Sequence, residues 1–258
     1  MTLPIPGMVI EQPRTALVIT DLQNDFLSPG GAAWGLVRDS LAANNTVENI
    51  EALLRAAREG GYPVFLSPHY YYPSDGGWVA SGGALEVLMG QLGVFARKGP
   101  LTLDGFGGSG ADWPERFKPY LQACDTVVAS PHKVYGTSSN DLVLQLRKRR
   151  IEKVILAGPA GNLCVEAHLR DFLEQGFEVA MVRDATAGTK NEEGDGYQAA
   201  LVNFRFMAHA LWTTRHTVGL MREASAPPAA TPAAVNPHRP PDWTVCGSVG
   251  SPSSGALV

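Results

Sequence analysis

Short apolar runs recur along the chain and alternate with segments in which apolar residues repeat every three or four positions. The apolar runs cover residues 15–20, 62–67, 126–130, 153–157 and 178–182. Runs of this length with almost no polar alternation are typical of strands covered on both faces, as in a parallel sheet. Their alternation with helical segments predicts an α/β fold with a doubly wound, mostly parallel sheet.

Four helical segments lie between or after these strands. They cover about residues 46–60, 140–150, 164–176 and 197–212. Thr46 is a predicted N-cap of the first helix, because a threonine hydroxyl accepts well from the first helical N–H groups. The basic residues 147–150 close the second helix, where the helix dipole favours cations. We therefore predict a solvated helix end there rather than a contact with nucleic acid.

Two stretches depart from this alternation. Residues 69–120 are rich in Gly, Pro and aromatic residues, with one short helical piece around 85–92, and we predict an elaborated loop excursion over the sheet edge. In residues 225–258, 21 of 34 positions are Pro, Ala, Ser or Gly, so little there offsets the entropy of ordering. The sequence thus predicts a single domain over residues 1–224 and a flexible C-terminal tail over 225–258.

Composition narrows the class of protein. The chain has 258 residues, 45% of them hydrophobic, and a net charge of -4, which is typical of a globular protein and gives no electrostatic reason to expect nucleic acid or a membrane as partner. No apolar run reaches the length of a membrane span, and the N-terminus lacks the pattern of a secretory signal. Cys124, Cys164 and Cys246 lie far apart and cannot all pair. We therefore predict free thiols in the cytoplasm, with Cys124 and Cys246 structural or incidental.

Three reactive side chains follow predicted strands. Asp21 ends the first strand, Lys133 follows the third, and Cys164 comes after the fourth, at the start of a helix. Ligands of parallel sheets bind beyond the carboxyl ends of the strands, so these groups are expected to meet at one edge. A carboxylate can take a thiol proton, while a cation and a helix N-terminus favour the thiolate. The sequence predicts acyl transfer with Asp21 as base, Lys133 as electrostatic partner and Cys164 as nucleophile. Lys98 is the rival lysine, but it follows a helical piece rather than a strand.

The residues around these groups resemble a known family. The segments TALVITDLQNDF at 15–26, ILAGPAGNLCV at 155–165 and RDATAG at 183–188, together with Lys133, resemble the isochorismatase-like cysteine hydrolases. That group includes nicotinamidases, N-carbamoylsarcosine amidohydrolases and ureidoacrylate amidohydrolases. The resemblance covers residues 13–215, apart from a poor match in the excursion.

The resemblance implies a three-layer, Rossmann-like fold with a six-stranded sheet and a homo-oligomer, a dimer or a tetramer. It implies a catalytic triad of Asp21, Lys133 and Cys164. It also implies a cis peptide bond between Pro159 and Ala160 and an oxyanion hole formed by the N–H groups of Ala160 and Cys164. The expected reaction is hydrolysis of a C–N bond in an amide, carbamoyl or ureido group of a small molecule, through a thioester.

No metal and no cofactor is predicted. Nicotinamidases of the family often bind a metal through an Asp-x-His pattern and a further histidine. Here the matching place reads Ser67-Pro-His69, followed by tyrosines. A lone histidine is a poor metal site, so the sequence also argues against nicotinamide as the substrate.

Several residues near the strand ends are candidates for binding the substrate, because aromatic side chains suit a flat or ring-shaped ligand. The candidates are Phe26, His69, Tyr70, Trp78, Tyr135 and Asn162. For each aromatic residue, packing within a loop is an equally good interpretation. Two roles are equally possible for Asn162: its amide can contact a leaving group, or it can fix the turn before Cys164.

Three other functions stay open from the sequence. One is a hydrolase of the same fold that acts on a non-amide bond such as an enol ether. Another is a thiol redox protein, although no resolving cysteine lies near Cys164. The third is a non-catalytic module with a decayed site. The G-x-G-x-x-G pattern at 105–110 is predicted to be a loop, since no βαβ unit surrounds it.

Overall fold

A six-stranded parallel sheet forms the centre of the fold. The computed structural model describes residues 2–80, 82–122 and 125–225. The strands are β1 (Thr15–Thr20), β2 (Val64–Ser67), β3 (Val127–Val128), β4 (Lys153–Pro159), β5 (Glu178–Ala187), β6 (Lys190–Asn191), β7 (Gly194–Asp195) and β8 (Ala210–Trp212). The main sheet has the order β3-β2-β1-β4-β5-β8 with parallel neighbours, and β6 and β7 form a separate antiparallel pair. The predicted doubly wound sheet is confirmed.

Helices cover both faces of this sheet. The α-helices are α1 (Asn24–Leu27), α2 (Trp34–Asn44), α3 (Thr46–Gly60), α4 (Ala84–Leu92), α5 (Lys118–Leu121), α6 (Leu142–Lys148), α7 (Glu166–Glu174), α8 (Gly196–Met207) and α9 (Thr214–Ser225). Short 3₁₀ turns lie at Gln12–Arg14, Pro73–Gly77 and Thr137–Ser139, and a π-helical turn lies at Gly161–Val165. None of the helices in the described part of the chain combines the length and apolarity that a bilayer span requires.

The side chains of β1 alternate between two hydrophobic cores, which makes the fold a three-layer structure. Leu17 and Ile19 pack on the side of α3, whereas Val18 packs on the opposite side with Phe172 of α7. All four side chains are fully buried. Each such side chain stabilises the fold by about 1.5–3 kcal/mol relative to exposure. Burial on both faces explains why the strand reads as an unbroken apolar run.

Some predicted boundaries were wrong. The helix predicted over about 197–212 ends at Met207, and Ala210–Trp212 instead form β8 against β5. Three residues are too few for a strand to be distinguished from the continuation of a helical repeat. The helix predicted from Cys164 begins at Glu166, because the chain first makes the π-helical turn. The structure also adds α9, which the sequence did not predict.

The excursion at 69–120 contains the predicted helical piece as α4, at Ala84–Leu92. Most of its remaining described length lacks regular structure. The predicted tail lies outside the described residues from position 226 onward. The predictions for Cys124 and Cys246 fall outside the described residues as well.

Candidate active site

Cys164 lies in the π-helical turn Gly161–Val165, between the end of β4 and the start of α7. The N–H groups of Leu163 and Val165 both donate to the carbonyl oxygen of Ala160, at 3.0 and 3.2 Å. These two bonds fix the shape of the turn and hence the position of the thiol. Because the side chain of Cys164 is only 5% exposed, a substrate has to reach it through the surrounding loops.

The chain approaches this turn in an unusual backbone conformation. The peptide bond between Pro159 and Ala160 is cis, so that prediction is confirmed. Gly158 has a φ of +119°, and a Cβ there would lie 2.3 Å from the carbonyl oxygen of Thr20 on β1. Glycine is therefore required at position 158, where β4 passes close to the end of β1. This close approach brings the turn that contains Cys164 next to the residue that follows β1.

That residue is Asp21, which is fully buried and has a φ of 47°. Its Oδ1 accepts a hydrogen bond from Nε2 of His132 at 2.8 Å, and its Oδ2 has no hydrogen-bond partner among the described residues. Burial opposes ionisation, but the charge and the hydrogen bond of His132, with smaller contributions from His69 and His168, outweigh burial and lower the pKa of Asp21. The carboxylate therefore stays ionised at neutral pH.

The Cys164 thiol lies within electrostatic reach of this carboxylate. Burial, followed by the negative charge of Asp21, raises the pKa of Cys164 well above its usual value. A thiol with a raised pKa is protonated at neutral pH, and it becomes a nucleophile when a neighbouring base takes its proton. Asp21 is a neighbouring carboxylate, and its Oδ2 has no protein partner among the residues described.

The structure does not bring Lys133 to Asp21. Its ammonium group donates to the carbonyl oxygen of Tyr70 at 2.8 Å, forms a salt bridge with Asp75 and lies 4.3 Å from the ring centre of Tyr72. Lys133 thus anchors the first part of the excursion at 69–120, and His132 is the residue that contacts Asp21. Neighbouring side chains of an extended segment point in opposite directions. His132 therefore points toward Asp21, and Lys133 points away from it, toward Tyr70 and Asp75.

His69 is buried beside His132. Their ring centres are 4.6 Å apart, and both ring nitrogens of His69 lack a hydrogen-bond partner among the described residues. Burial and then the charge of His132 lower the pKa of His69 to about 3, so it stays neutral. Gln23, which is fully buried, holds the backbone of His69: its Oε1 accepts from the N–H at 2.8 Å and its Nε2 donates to the carbonyl at 3.0 Å. The same Nε2 donates to Ala111 at 2.9 Å, which ties the excursion to the strand end.

A hydrogen-bonded chain supports the Cys164 turn from behind. Nδ1 of His168 contacts the carbonyl oxygen of Cys164 at 2.7 Å, and its Nε2 contacts Oγ of Ser67 at 2.8 Å. Asn140 donates to the same Oγ at 2.9 Å. Burial and then the charge of His132 lower the pKa of His168 to about 4. The imidazole is therefore neutral, with its proton on Nδ1, since a carbonyl oxygen can only accept.

The sequence missed His132 and His168 as site residues. His168 had a usable signal, because it lies four residues after Cys164 and residues at that spacing share one face of a helix. His132 had only its position beside Lys133. The role of Gln23 gave no local signal, since it depends on where residues 69 and 111 come to lie.

The six predicted substrate-binding residues divide into buried packing residues and residues that line cavities. Phe26 packs edge-on against Phe95 with ring centres 5.3 Å apart, and Tyr70 is buried against Phe106 with Arg97 over its ring. His69 is buried and packs against His132 and Phe95.

The other three predicted residues lie at cavities. Trp78 lines a cavity of about 250 Å³ together with Tyr71. Tyr135 and Asn162 line a second cavity of about 240 Å³. The amide of Asn162 also donates to Oγ1 of Thr189 at 2.9 Å and accepts from its N–H at 3.0 Å, which anchors the turn.

A carboxylate at the cavity beside Tyr71, which we take as the entrance to the site, was not anticipated. Glu86 lines the same cavity as Tyr71, and its Oε2 accepts from the N–H of Gly83 at 3.1 Å. Burial, followed by the electrostatic effects of the Glu86 carboxylate and the Cys164 thiol, raises the pKa of Tyr71 to about 12. The same three causes raise the pKa of Tyr135. Both tyrosines therefore lie within electrostatic reach of Glu86 and of Cys164.

Curated relatives share the sequence pattern of this chain. The ureidoacrylate amidohydrolase RutB of Agrobacterium fabrum is 30% identical over 191 residues, which cover 72% of this chain and 82% of the relative. The uncharacterized isochorismatase family protein YddQ of Bacillus subtilis is 26% identical over 195 residues, which cover 75% and 89%.

Solved structures share the fold. A cysteine hydrolase from Pseudomonas syringae pv. phaseolicola aligns with a TM-score of 0.71 and 22% identity, covering 87% of this chain and 100% of that structure. The N-carbamoylsarcosine amidase from Thermoplasma acidophilum aligns with a TM-score of 0.55 and 18% identity, covering 78% and 96%. The family model of the isochorismatase domain matches residues 15–216, which is most of the chain. The chain therefore belongs to the isochorismatase family.

Proposed function

We propose that this protein is a cysteine-dependent amidohydrolase that cleaves a C–N bond of a small amide, carbamoyl or ureido compound. The observation that carries the proposal is the buried group formed by Asp21, His132 and Cys164 at the carboxyl edge of the sheet. The names of the relatives support the same reaction class, since RutB acts on ureidoacrylate and the Thermoplasma protein is an amidase. A homo-oligomer in the cytoplasm stays a prediction.

In the first step, Sγ of Cys164 attacks the carbonyl carbon of the substrate and the thiol proton passes to Oδ2 of Asp21. The protonated Asp21 then gives this proton to the departing nitrogen as the C–N bond breaks, leaving a thioester and ammonia or an amine. Water attacks the thioester and gives one proton back through Asp21, so that the acid product leaves and the thiol is restored. The N–H groups of Ala160 and Cys164 are the proposed donors to the oxyanion.

His132 takes the role that the sequence assigned to Lys133 in this mechanism. Its Nε2–H donates to Oδ1 of Asp21 and leaves Oδ2 for the thiol proton. This hydrogen bond and the electrostatic effect of His132 lower the pKa of Asp21, which favours the ionised carboxylate before the attack. Lys133 would act at the site entrance, because its ammonium group already pairs with Asp75.

The charges at the entrance favour substrates without a carboxylate. Glu86 lines the cavity beside Tyr71, and the neighbouring Asp75 is neutralised by Lys133. An anionic group bound in this cavity would face the carboxylate of Glu86. We therefore propose a neutral or cationic amide as the substrate, in contrast to ureidoacrylate, which bears a carboxylate.

The test measures ammonia release from a panel of primary amides, carbamoyl amino acids and ureido acids, and searches for an acyl adduct on Cys164 by peptide mass spectrometry. We expect release by the wild type, with Cys164→Ala lower by about four to six orders of magnitude. The melting temperature of the variant checks that it folds. Near-normal turnover by folded Cys164→Ala would contradict the thioester mechanism, and a keto product without ammonia or amine would support the enol ether alternative.

A further inference from the structure

Three buried side chains of the candidate active site bring nitrogen and sulfur atoms close together. One ligand atom each from His69, His132 and Cys164 lies within 4.8 Å of the other two. The exposed fractions of these residues are 3%, 0% and 5%. Imidazole nitrogen and thiolate sulfur are the ligands that Zn²⁺ prefers, and three protein ligands with an open fourth position form a common zinc geometry.

The hydrogen bonding of the two histidines leaves ring nitrogens available for a metal ion. Both ring nitrogens of His69 and Nδ1 of His132 have no hydrogen-bond partner among the described residues. A buried polar atom without a partner is costly, and a bound ion offsets that cost. The sequence argued against a metal because His69 stood alone after Ser67, but the fold places a second histidine and a thiol beside it.

Asp21 completes the arrangement around the imidazole of His132. It accepts from Nε2 at 2.8 Å, which directs the lone pair of Nδ1 away from the carboxylate. A metal-binding histidine commonly donates its other N–H group to a carboxylate, which fixes the tautomer and strengthens the ligand. The Asp21–His132 pair that serves acyl transfer in the proposed function thus also suits a metal ligand.

We propose that His69, His132 and Cys164 form a site for Zn²⁺, and that the bound ion blocks the nucleophile. Zinc–nitrogen bonds of about 2.0 Å and a zinc–sulfur bond of about 2.3 Å require the three atoms to close around the ion by side-chain rotation. The Cys164 thiol loses its proton to solvent as the S–Zn bond forms, a protonated His132 likewise loses the proton on Nδ1 as its N–Zn bond forms, and no oxidation is involved. The site itself is independent of the proposed function, and only the loss of turnover rests on it.

Binding is tested with Co²⁺ as a spectroscopic probe and with Zn²⁺ by calorimetry, on the full chain treated with a chelator. We expect one ion per chain and a thiolate-to-cobalt absorption band that disappears in Cys164→Ser. His69→Gln should weaken binding by about 100-fold, since even the loss of an outer partner of a metal ligand costs about 10- to 100-fold. The exposed His216→Gln is the matched control and should bind as the wild type does. Equal affinity in His69→Gln and the wild type would overturn the site.

Blocking of the nucleophile is tested without any substrate. Iodoacetamide alkylation of Cys164 is followed by peptide mass spectrometry, with and without Zn²⁺. We expect Zn²⁺ to protect the thiol and a chelator to restore alkylation, with protection largely lost in His69→Gln. Alkylation of wild-type Cys164 at the same rate with saturating Zn²⁺ would refute the proposal, even if His69→Gln failed to fold. Protection without ammonia release from any amide would support the metal site while counting against the amidohydrolase.

Discussion

The floor and the rim of the candidate active site differ in how they are built. The floor consists of residues at strand ends and on the helix turn after Cys164: Asp21, His69, His132, Cys164 and His168. The rim consists of excursion residues and the lysine that ties them down: Tyr71, Asp75, Trp78, Glu86 and Lys133. Floor residues are buried, whereas the rim side chains are partly exposed.

This difference in burial changes how strongly charges act in the two regions. Charges on the floor act in a medium of low dielectric constant, so a single hydrogen bond such as that from His132 to Asp21 shifts a pKa substantially. Charges on the rim are screened by water, so each contact there changes a pKa or a binding free energy less. We therefore expect changes on the floor to alter the rate of the chemical step, and changes on the rim to alter which substrates bind.

Apart from loss of the Cys164 thiol itself, the largest effect is expected for His132→Gln. Glutamine can still donate to Asp21 but carries no positive charge, so kcat should fall by about 100- to 1,000-fold with little change in KM. The exposed His216→Gln is the matched control and should keep full activity. If His132→Gln kept the wild-type kcat, His132 would not be the partner of Asp21 and Cys164 that the proposed mechanism requires.

A second effect concerns stability and uses the floor histidines. The folded pKa values of about 3 for His69 and about 4 for His168 lie below the ordinary value of 6.5, so the unfolded chain binds more protons between pH 6.5 and 4. The free energy of unfolding should therefore fall as the pH drops through this window, by at most about 1.4 kcal/mol per pH unit for each histidine.

Urea unfolding at several pH values measures this dependence. His168→Gln should reduce the slope, because one of the two neutral imidazoles is removed, whereas His216→Gln should leave it unchanged. Stability that is constant from pH 6.5 to 4.5 in the wild type would mean that the histidines are not held neutral in the folded chain.

The contrast between floor and rim also explains how far the sequence could predict the site. Asp21 and Cys164 were identifiable because each directly follows a strongly apolar strand, and strand ends of a parallel sheet share an edge. Lys133 was predicted and His132 was missed. The strand before them, β3, has only two residues, Val127–Val128, which is too short to show which of the later side chains points inward. One position of register there changes which residue meets Asp21.

The positions of the rim residues were harder to predict from the sequence. Glu86 reaches the entrance because α4 packs beside Tyr71, and no periodic pattern in the sequence encodes that contact. Tyr70 and Tyr71 are neighbours with the same local surroundings, yet Tyr70 is packed under Arg97 and Tyr71 lines the cavity. Alternation of side chains separates them only once the direction of the loop is known.

A third and smaller effect is expected for Lys133→Met, which keeps the length of the side chain but removes its charge. The loss of contacts to Tyr70 and Asp75 should loosen the excursion and raise KM by about three- to tenfold, while kcat changes little. Lys190→Met, at an exposed position, is the matched control. If Lys133→Met instead lowered kcat by orders of magnitude at saturating substrate, Lys133 would belong to the catalytic group that the sequence predicted.

The smallest effect is expected at Glu86 and concerns selection alone. Glu86→Gln keeps an oxygen that can accept from Gly83 but removes the negative charge beside Tyr71. Two like charges at the partly solvated entrance repel by about 1 kcal/mol, which corresponds to roughly a fivefold change in kcat/KM. The measurement compares a neutral N-alkylurea with its carboxylate-bearing analogue. Only the carboxylate compound should be hydrolysed faster by Glu86→Gln, and the exposed Glu193→Gln should affect neither. A wild type that prefers the carboxylate compound would place an unrecognised cation at the rim and reverse the proposed selection.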